Sequence, residues 1–277
     1  MRFIQKNLVT IIIGLAFLVG LSVFLYPTVA SYYNSFTQSR VVARYYEDVG
    51  KLNVQDFSEL FAEARAYNEK LAKKSDRFNL TAADLDEYHS LLNFATGGVM
   101  GTLIIRSINV KLPVYHGTSE GVLQIGVGHL EGTSLPVGGI GTHAVLTGHR
   151  GLPSSILLTN MDRMKVGDTF ILHILNEILT YKVDQIIIVE PHEMDALAID
   201  PDKDYCTLIT CTPYAINSHR MLVRGHRIEN ERIEVSFEAD KADSRAVALV
   251  IILPLLIVLT GWLFRKHRNI YGRKEQR

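Results

Sequence analysis

The stretch that decides the fold opens at Val99-Met100-Gly101-Thr102-Leu103-Ile104-Ile105-Arg106 and closes at Arg220-Met221-Leu222-Val223-Arg224-Gly225. Between these ends, short β-branched runs alternate with Gly and Pro punctuation, the pattern of extended segments ended by turns. Strands are expected at 99–106, 109–114, 122–126, 142–148, 169–175, 178–190, 205–211 and 220–228. So many short strands suit a closed barrel or a sandwich. The chain shows no internal repeat and no low-complexity tract.

Upstream, residues 27–98 read as helical. Phe57, Leu60, Phe61, Ala64 and Leu71 form one apolar stripe, with Asp56 as the expected cap. Leu85, Tyr88, Leu91 and Leu92 form a second. Between the stripes, Lys73-Lys74-Ser75-Asp76-Arg77-Phe78-Asn79 reads as an exposed loop.

Further out, both ends are apolar. Leu8 to Tyr26 and Ala246 to Phe264 are uncharged runs of 19 residues each. At ~1.5 Å rise per residue, each matches a bilayer core of ~30 Å. Pro254 is tolerable inside a membrane helix, and Trp262 suits an interface. A cleaved leader is the other reading of the first run, but no small-x-small site follows it. Arg2 and Lys6 precede the first run; Arg265, Lys266, Arg268, Arg273, Lys274 and Arg277 follow the second. The positive-inside rule then puts both termini in the cytoplasm and residues 27–245 outside. The expected organisation is an N-terminal anchor (1–30), a helical segment (31–98), a β domain (99–235), a linker (236–245), a second membrane helix (246–264) and a basic cytoplasmic tail (265–277).

The 277 residues carry 29 Lys+Arg and 29 Asp+Glu, yet that zero sums unlike parts. The outer segment alone has net charge −7. An acidic outer domain argues against a nucleic-acid partner. Two cysteines exclude a disulfide-stapled scaffold and a Cys-rich zinc module. His143 and His149 match no standard zinc spacing, no carboxylate cluster suggests calcium, and no cofactor motif is visible.

Three polar groups stand out around the later strands: Thr147-Gly148-His149-Arg150-Gly151-Leu152-Pro153, Thr207-Leu208-Ile209-Thr210-Cys211-Thr212-Pro213-Tyr214, and Asn217-Ser218-His219-Arg220-Met221. A nucleophilic cysteine needs exposure, a proton-transfer partner and a group that stabilises the oxyanion. Cys211 at a strand end, His149 at a strand–loop junction and Arg220 at a strand start supply those types. Cys211 and Arg220 would lie side by side if their strands pair. A buried, inert cysteine is the other reading of the same residues. Cys206, five residues from Cys211, faces the opposite way on a regular strand and reads as core packing.

The segments Gly141 to Pro153, Thr207 to Tyr214 and Arg220 through Arg227 resemble the sortases, cysteine transpeptidases of Gram-positive cell surfaces, and most closely the class C, or pilin, sortases. The resemblance covers roughly residues 30–235. It implies a mainly β fold: a closed eight-stranded barrel with an N-terminal helical, lid-bearing segment, here flanked by two membrane helices. It implies His149 as the catalytic histidine, Cys211 as the nucleophile and Arg220 as the active-site arginine. It implies cleavage of an LPxTG-like sorting signal at Thr–Gly through a thioacyl enzyme. A lysine of another pilin subunit then resolves that intermediate. The alternative is a sortase that anchors surface proteins to cell-wall peptidoglycan; a hydrolytic protease and a non-catalytic adhesion module are the remaining readings. The implied partners are pilins or other surface proteins bearing such signals, and the membrane. Class C lids carry Asp-Pro-aromatic, whereas this chain has Asp76-Arg77-Phe78. Without the Pro the loop loses a φ restraint. Asp76 and Phe78 can still plug the site; a weaker or absent lid is the other reading.

Overall fold

The computed structural model describes residues 2–95 and 97–230, with side chains at residue 12 and from residue 14 onward. Three helices come first: α1 (Arg2–Val49), α2 (Val54–Ala72) and α3 (Ala82–Ser90). The strands follow as β1 (Val99–Ile105), β2 (Val110–His116), β3 (Val127–His129), β4 (Thr142–Thr147), β5 (Thr169–Ile174), β6 (Glu177–Val189), β7 (Asp204–Thr212) and β8 (His219–Ile228). They close into one barrel in the order β1-β2-β3-β4-β7-β8-β6-β5. The β2–β3 and β4–β7 pairs are parallel and the others antiparallel.

One expected strand is misplaced. Residues 122–126 are not a strand: Glu120–Leu123 forms a single helical turn, α4, and the chain enters the barrel only at Val127. Gly128 lies so close to the Gly117 carbonyl that no side chain fits there, so the parallel β2–β3 contact is made where a glycine permits it. The cap of α2 is also shifted. Asn53, not Asp56, is the N-cap; Asp56 is the reciprocal partner in a capping box.

α1 is long and apolar enough to cross a membrane by length and composition. The described chain divides into two compact units between Tyr33 and Asn34, and the residues from Asn34 onward belong with the barrel. The expected second span, 246–264, the linker and the basic tail lie outside the described residues.

The helices are fixed to the barrel by buried polar ties as well as by apolar packing. The Tyr45 hydroxyl donates to the Met100 carbonyl (3.1 Å) and accepts from the Leu175 N–H (2.7 Å), locking the C-terminal end of α1 against β1 and the residue after β5. Asn68 on α2 pairs with the backbone of Leu135 in both directions (2.7 and 3.0 Å), as a neighbouring strand would. Tyr88 on α3 donates to His129 Nδ1 (3.0 Å) and accepts from the Gly117 N–H (3.0 Å). Each tie satisfies buried groups that would otherwise cost about 1–3 kcal/mol apiece. Around them Phe61, Ala64, Leu71 and Leu92 join the barrel interior in one core with Leu103, Leu146, Phe170, Cys206 and Leu208.

Candidate active site

Strand β7 has two faces, and parity decides which residue does what. Cys206, Leu208 and Thr210 point into the barrel; Tyr205, Thr207, Ile209 and Cys211 point outward. Cys206 is fully buried, and desolvation pushes its thiol well above the ordinary range. Cys211 is half-buried, and both thiols are free.

The neighbours of Cys211 follow from register. Cys211 pairs directly with Arg220 across the antiparallel β7–β8 ladder. Such partners hold their Cβ atoms ~4.5–5.5 Å apart on one face. On the other side β4 runs parallel to β7, with Thr147 opposite Ile209. The Gly148 N–H continues the ladder to the Ile209 carbonyl (3.1 Å), and the Thr210 hydroxyl donates to the Gly148 carbonyl (2.8 Å). Carrying that register two residues further sets His149 level with Cys211. The structure thus gathers His149, Cys211 and Arg220 at one end of the barrel, on two paired strands and the loop that leaves their neighbour β4.

Each side chain also has a partner of its own. His149 Nε2 faces the Glu120 carboxylate at 3.4 Å, from the α4 turn. The Arg220 guanidinium donates to the Asn217 and His219 carbonyls (3.1 Å each), so it is held by the loop entering β8. The Asn217 backbone sits in the left-handed region (φ 59), which turns its carbonyl to that guanidinium. Two contributors carry no sequence signal. Arg150 donates to the Thr212 hydroxyl (3.2 Å) and pairs with Asp162 (2.7 Å), pinning the loop after β4 to the residue after Cys211. Glu120 falls just ahead of the segment read as a strand.

His143 does not belong to this group. It is buried on the outer face of β4, two pairs up from the Val145–Thr207 level. The Ala198 carbonyl can only accept, so His143 Nδ1 carries the proton (2.8 Å) and Nε2 accepts from the Thr207 hydroxyl (2.7 Å). Burial lowers its pKa to about 4, so the ring is neutral. It fixes the β6–β7 connection to the barrel wall.

The loop Asp76-Arg77-Phe78 packs against two other loops. Asp76 and Phe78 stay exposed, Phe78 by 37%, and Arg77 is the residue that inserts. Its guanidinium donates to the Gly132 carbonyl (3.4 Å), in the β3–β4 loop, and to the Leu197 carbonyl, in the β6–β7 connection. It also covers the Phe78 ring at 4.6 Å. Gly132 is required here: its φ is +82, and a Cβ would strike the Arg77 carbonyl and the Phe78 ring. Among the described residues, neither Asp76 nor Phe78 hydrogen-bonds Cys211 or Arg220.

A closed eight-stranded barrel with a half-buried cysteine, a cross-strand arginine and a level histidine at one end brings together the residue types that thiol chemistry needs. Comparison with known proteins agrees. The family model for the sortase domain matches residues 103–228. The crystal structure of sortase C1 from Streptococcus agalactiae is 47% identical, with TM-score 0.67, covering 69% of this chain and 100% of that one. The sortase C structure of Streptococcus pneumoniae, reported for its catalysis and pilin substrate specificity, is 43% identical, with TM-score 0.61 and coverage of 69% and 97%. A curated relative, sortase A of Streptococcus agalactiae serotype III (strain NEM316), is 25% identical over 151 residues, or 52% of this chain. The chain spans 61% of that relative's length. The chain belongs to the sortase family, and both solved structures named above are class C members.

Proposed function

We propose that this protein is a membrane-anchored cysteine transpeptidase that joins pilin subunits. The observation that carries the reading is the direct Cys211–Arg220 pairing, with His149 level in the loop that leaves the next strand. Cys211 Sγ attacks the Thr carbonyl of an LPxTG-like sorting signal. Arg220 hydrogen-bonds that oxygen as its charge grows. The C–N bond to Gly breaks, and His149 gives its proton to the departing amine. A thioester remains on Cys211. A lysine amine of the next subunit attacks it, His149 takes that amine's proton, and the C–S bond breaks to leave an isopeptide bond, the sulfur as thiolate and His149 protonated again. The similarity to class C structures supports a pilin acceptor.

The chain crosses the membrane twice in this reading, through the run ending at Tyr26 and through 246–264, with both termini cytoplasmic and the barrel outside. The loop at Asp76-Arg77-Phe78 acts as a lid, latched by Arg77.

The test is a covalent-product assay in cells. The full chain, or its Cys211→Ala form, is expressed with surface proteins bearing sorting signals, and extracts are boiled in SDS. A high-mass ladder lost in the variant supports pilin joining. Wall-linked monomers without a ladder, shed by the variant, turn the reading to peptidoglycan anchoring. Products independent of Cys211 overturn it.

A further inference from the structure

Arg77 occupies an unusual place for a cation. Its guanidinium is half-buried, and among the described residues it makes no ion pair. Its partners are two backbone carbonyls, from Gly132 and Leu197. The loops that carry them both rest on the outer face of β4, β7 and β8. Leu197 packs in one cluster with Val145 and Leu222, with Leu130, Met194 and Ile209 around it. The apolar floor and the two carbonyls therefore lie on the same face as Cys211.

Both carbonyls are rigidly placed. Next to Leu197, Ala198 is tied through His143 to Thr207. Beside Gly132, the Thr133 hydroxyl donates to the Leu130 carbonyl (2.6 Å) and accepts from the Val145 N–H (3.3 Å). A carbonyl pair held this way keeps its positions when the lid leaves, and its need for donors persists. Water meets that need poorly over an apolar floor; a charged N–H donor meets it well.

We propose that the Gly132 and Leu197 carbonyls form a subsite for a basic side chain of the sorting-signal segment, which Arg77 fills while the lid is closed. The inference rests on the transpeptidase reading and extends it to substrate selection. Its position follows from strand geometry. Thr207, the level of the His143 tie, lies four residues from Cys211. At ~3.3 Å per residue that is ~13 Å along the groove. Four residues from the Thr whose carbonyl Cys211 attacks lies the fifth residue before the scissile bond, the one that precedes the Leu of an LPxTG-like signal.

The experiment uses the full chain in detergent and sorting-signal peptides bearing lysine or norleucine at that fifth position. The rate of Cys211 adduct formation is read by intact mass, for the natural chain, Arg77→Ala and Arg77→Lys. In Arg77→Ala, lysine should outpace norleucine by about tenfold at that position, the size expected of hydrogen bonds to a charged group. The natural chain and Arg77→Lys, where a resident cation competes, should show a smaller preference. Ethylguanidinium should slow the lysine peptide in Arg77→Ala and leave the norleucine peptide unaffected. Adducts forming equally fast from both peptides in Arg77→Ala overturn the subsite. Absence of adducts from every peptide and chain overturns the transpeptidase reading itself.

Discussion

Cys206 and Cys211 sit five residues apart on one strand and live in different media. Cys206 belongs to the barrel interior, among Leu208, Tyr181 and Leu179. Its neighbours exclude water, so a thiolate there is strongly disfavoured and its role is volume. Cys211 emerges at the strand end between Arg220 and the His149 loop, where solvent and a cation can reach it. The lesson is one of parity: an odd spacing on a strand separates a fully buried thiol from one that reaches the surface. The same contrast divides the histidines. His129 and His143 are buried and hydrogen-bonded on both nitrogens, whereas His149 faces an exposed carboxylate.

The sharpest way to break the comparison is to remove each thiol in turn. Cys211→Ala should abolish thioacyl formation on sorting-signal peptides, read by intact mass. Cys206→Ala should leave it in place and lower unfolding free energy by about 1–2 kcal/mol, as loss of a small buried side chain does. Adducts surviving in Cys211→Ala would make the exposed thiol a bystander.

Arg220→Ala should lower kcat/KM by about 10²–10³-fold, the usual loss of an oxyanion donor. Arg150→Ala should matter less, since Arg150 touches the loop and Thr212 and not the reacting atoms. Equal losses would move the oxyanion role away from the cross-strand partner.

The buried histidines set a pH response. Burial lowers His129 and His143 to about 4, against 6.5 for the free ring. The unfolded chain takes up these protons as pH falls through the free value, while the folded chain resists until about 4. Stability present at pH 7 is therefore lost over that interval, by at most ~3 kcal/mol per ring. Tm measured from pH 7 to 4.5 should fall, and His129→Gln should flatten the fall. A flat Tm for the natural chain would mean that both rings are solvated.

The smallest effect concerns access. Arg77→Ala should quicken maleimide labelling of Cys211 by roughly fivefold, the effect of ~1 kcal/mol removed from the closed loop. Phe78→Ala, which removes a side chain already partly in solvent, should quicken it less. The reverse ranking would assign the latch to the aromatic ring.

Much of this molecule was legible in its residues. Seven of the eight strands lie where β-branched runs and turn residues put them, within a few positions. The exception, 122–126, failed because Val122 and Ile125 satisfy a helical turn as readily as a strand, and α4 takes the first of them. The stripe on α2 was visible, but Asn68 at its centre was not, because a polar residue gives no periodic signal.

Composition and order of residues determined the alternation that makes β7 two-faced, the apolar length of α1, and the residue types able to do thiol chemistry. These are local properties, written in spacing. The closure of the sheet, the register that sets Cys211 against Arg220, and the insertion of Arg77 between carbonyls 55 and 120 residues away were decided only by tertiary structure. Such interactions join segments distant in the chain. Which of them form depends on the packing of the whole core, and no local pattern records it.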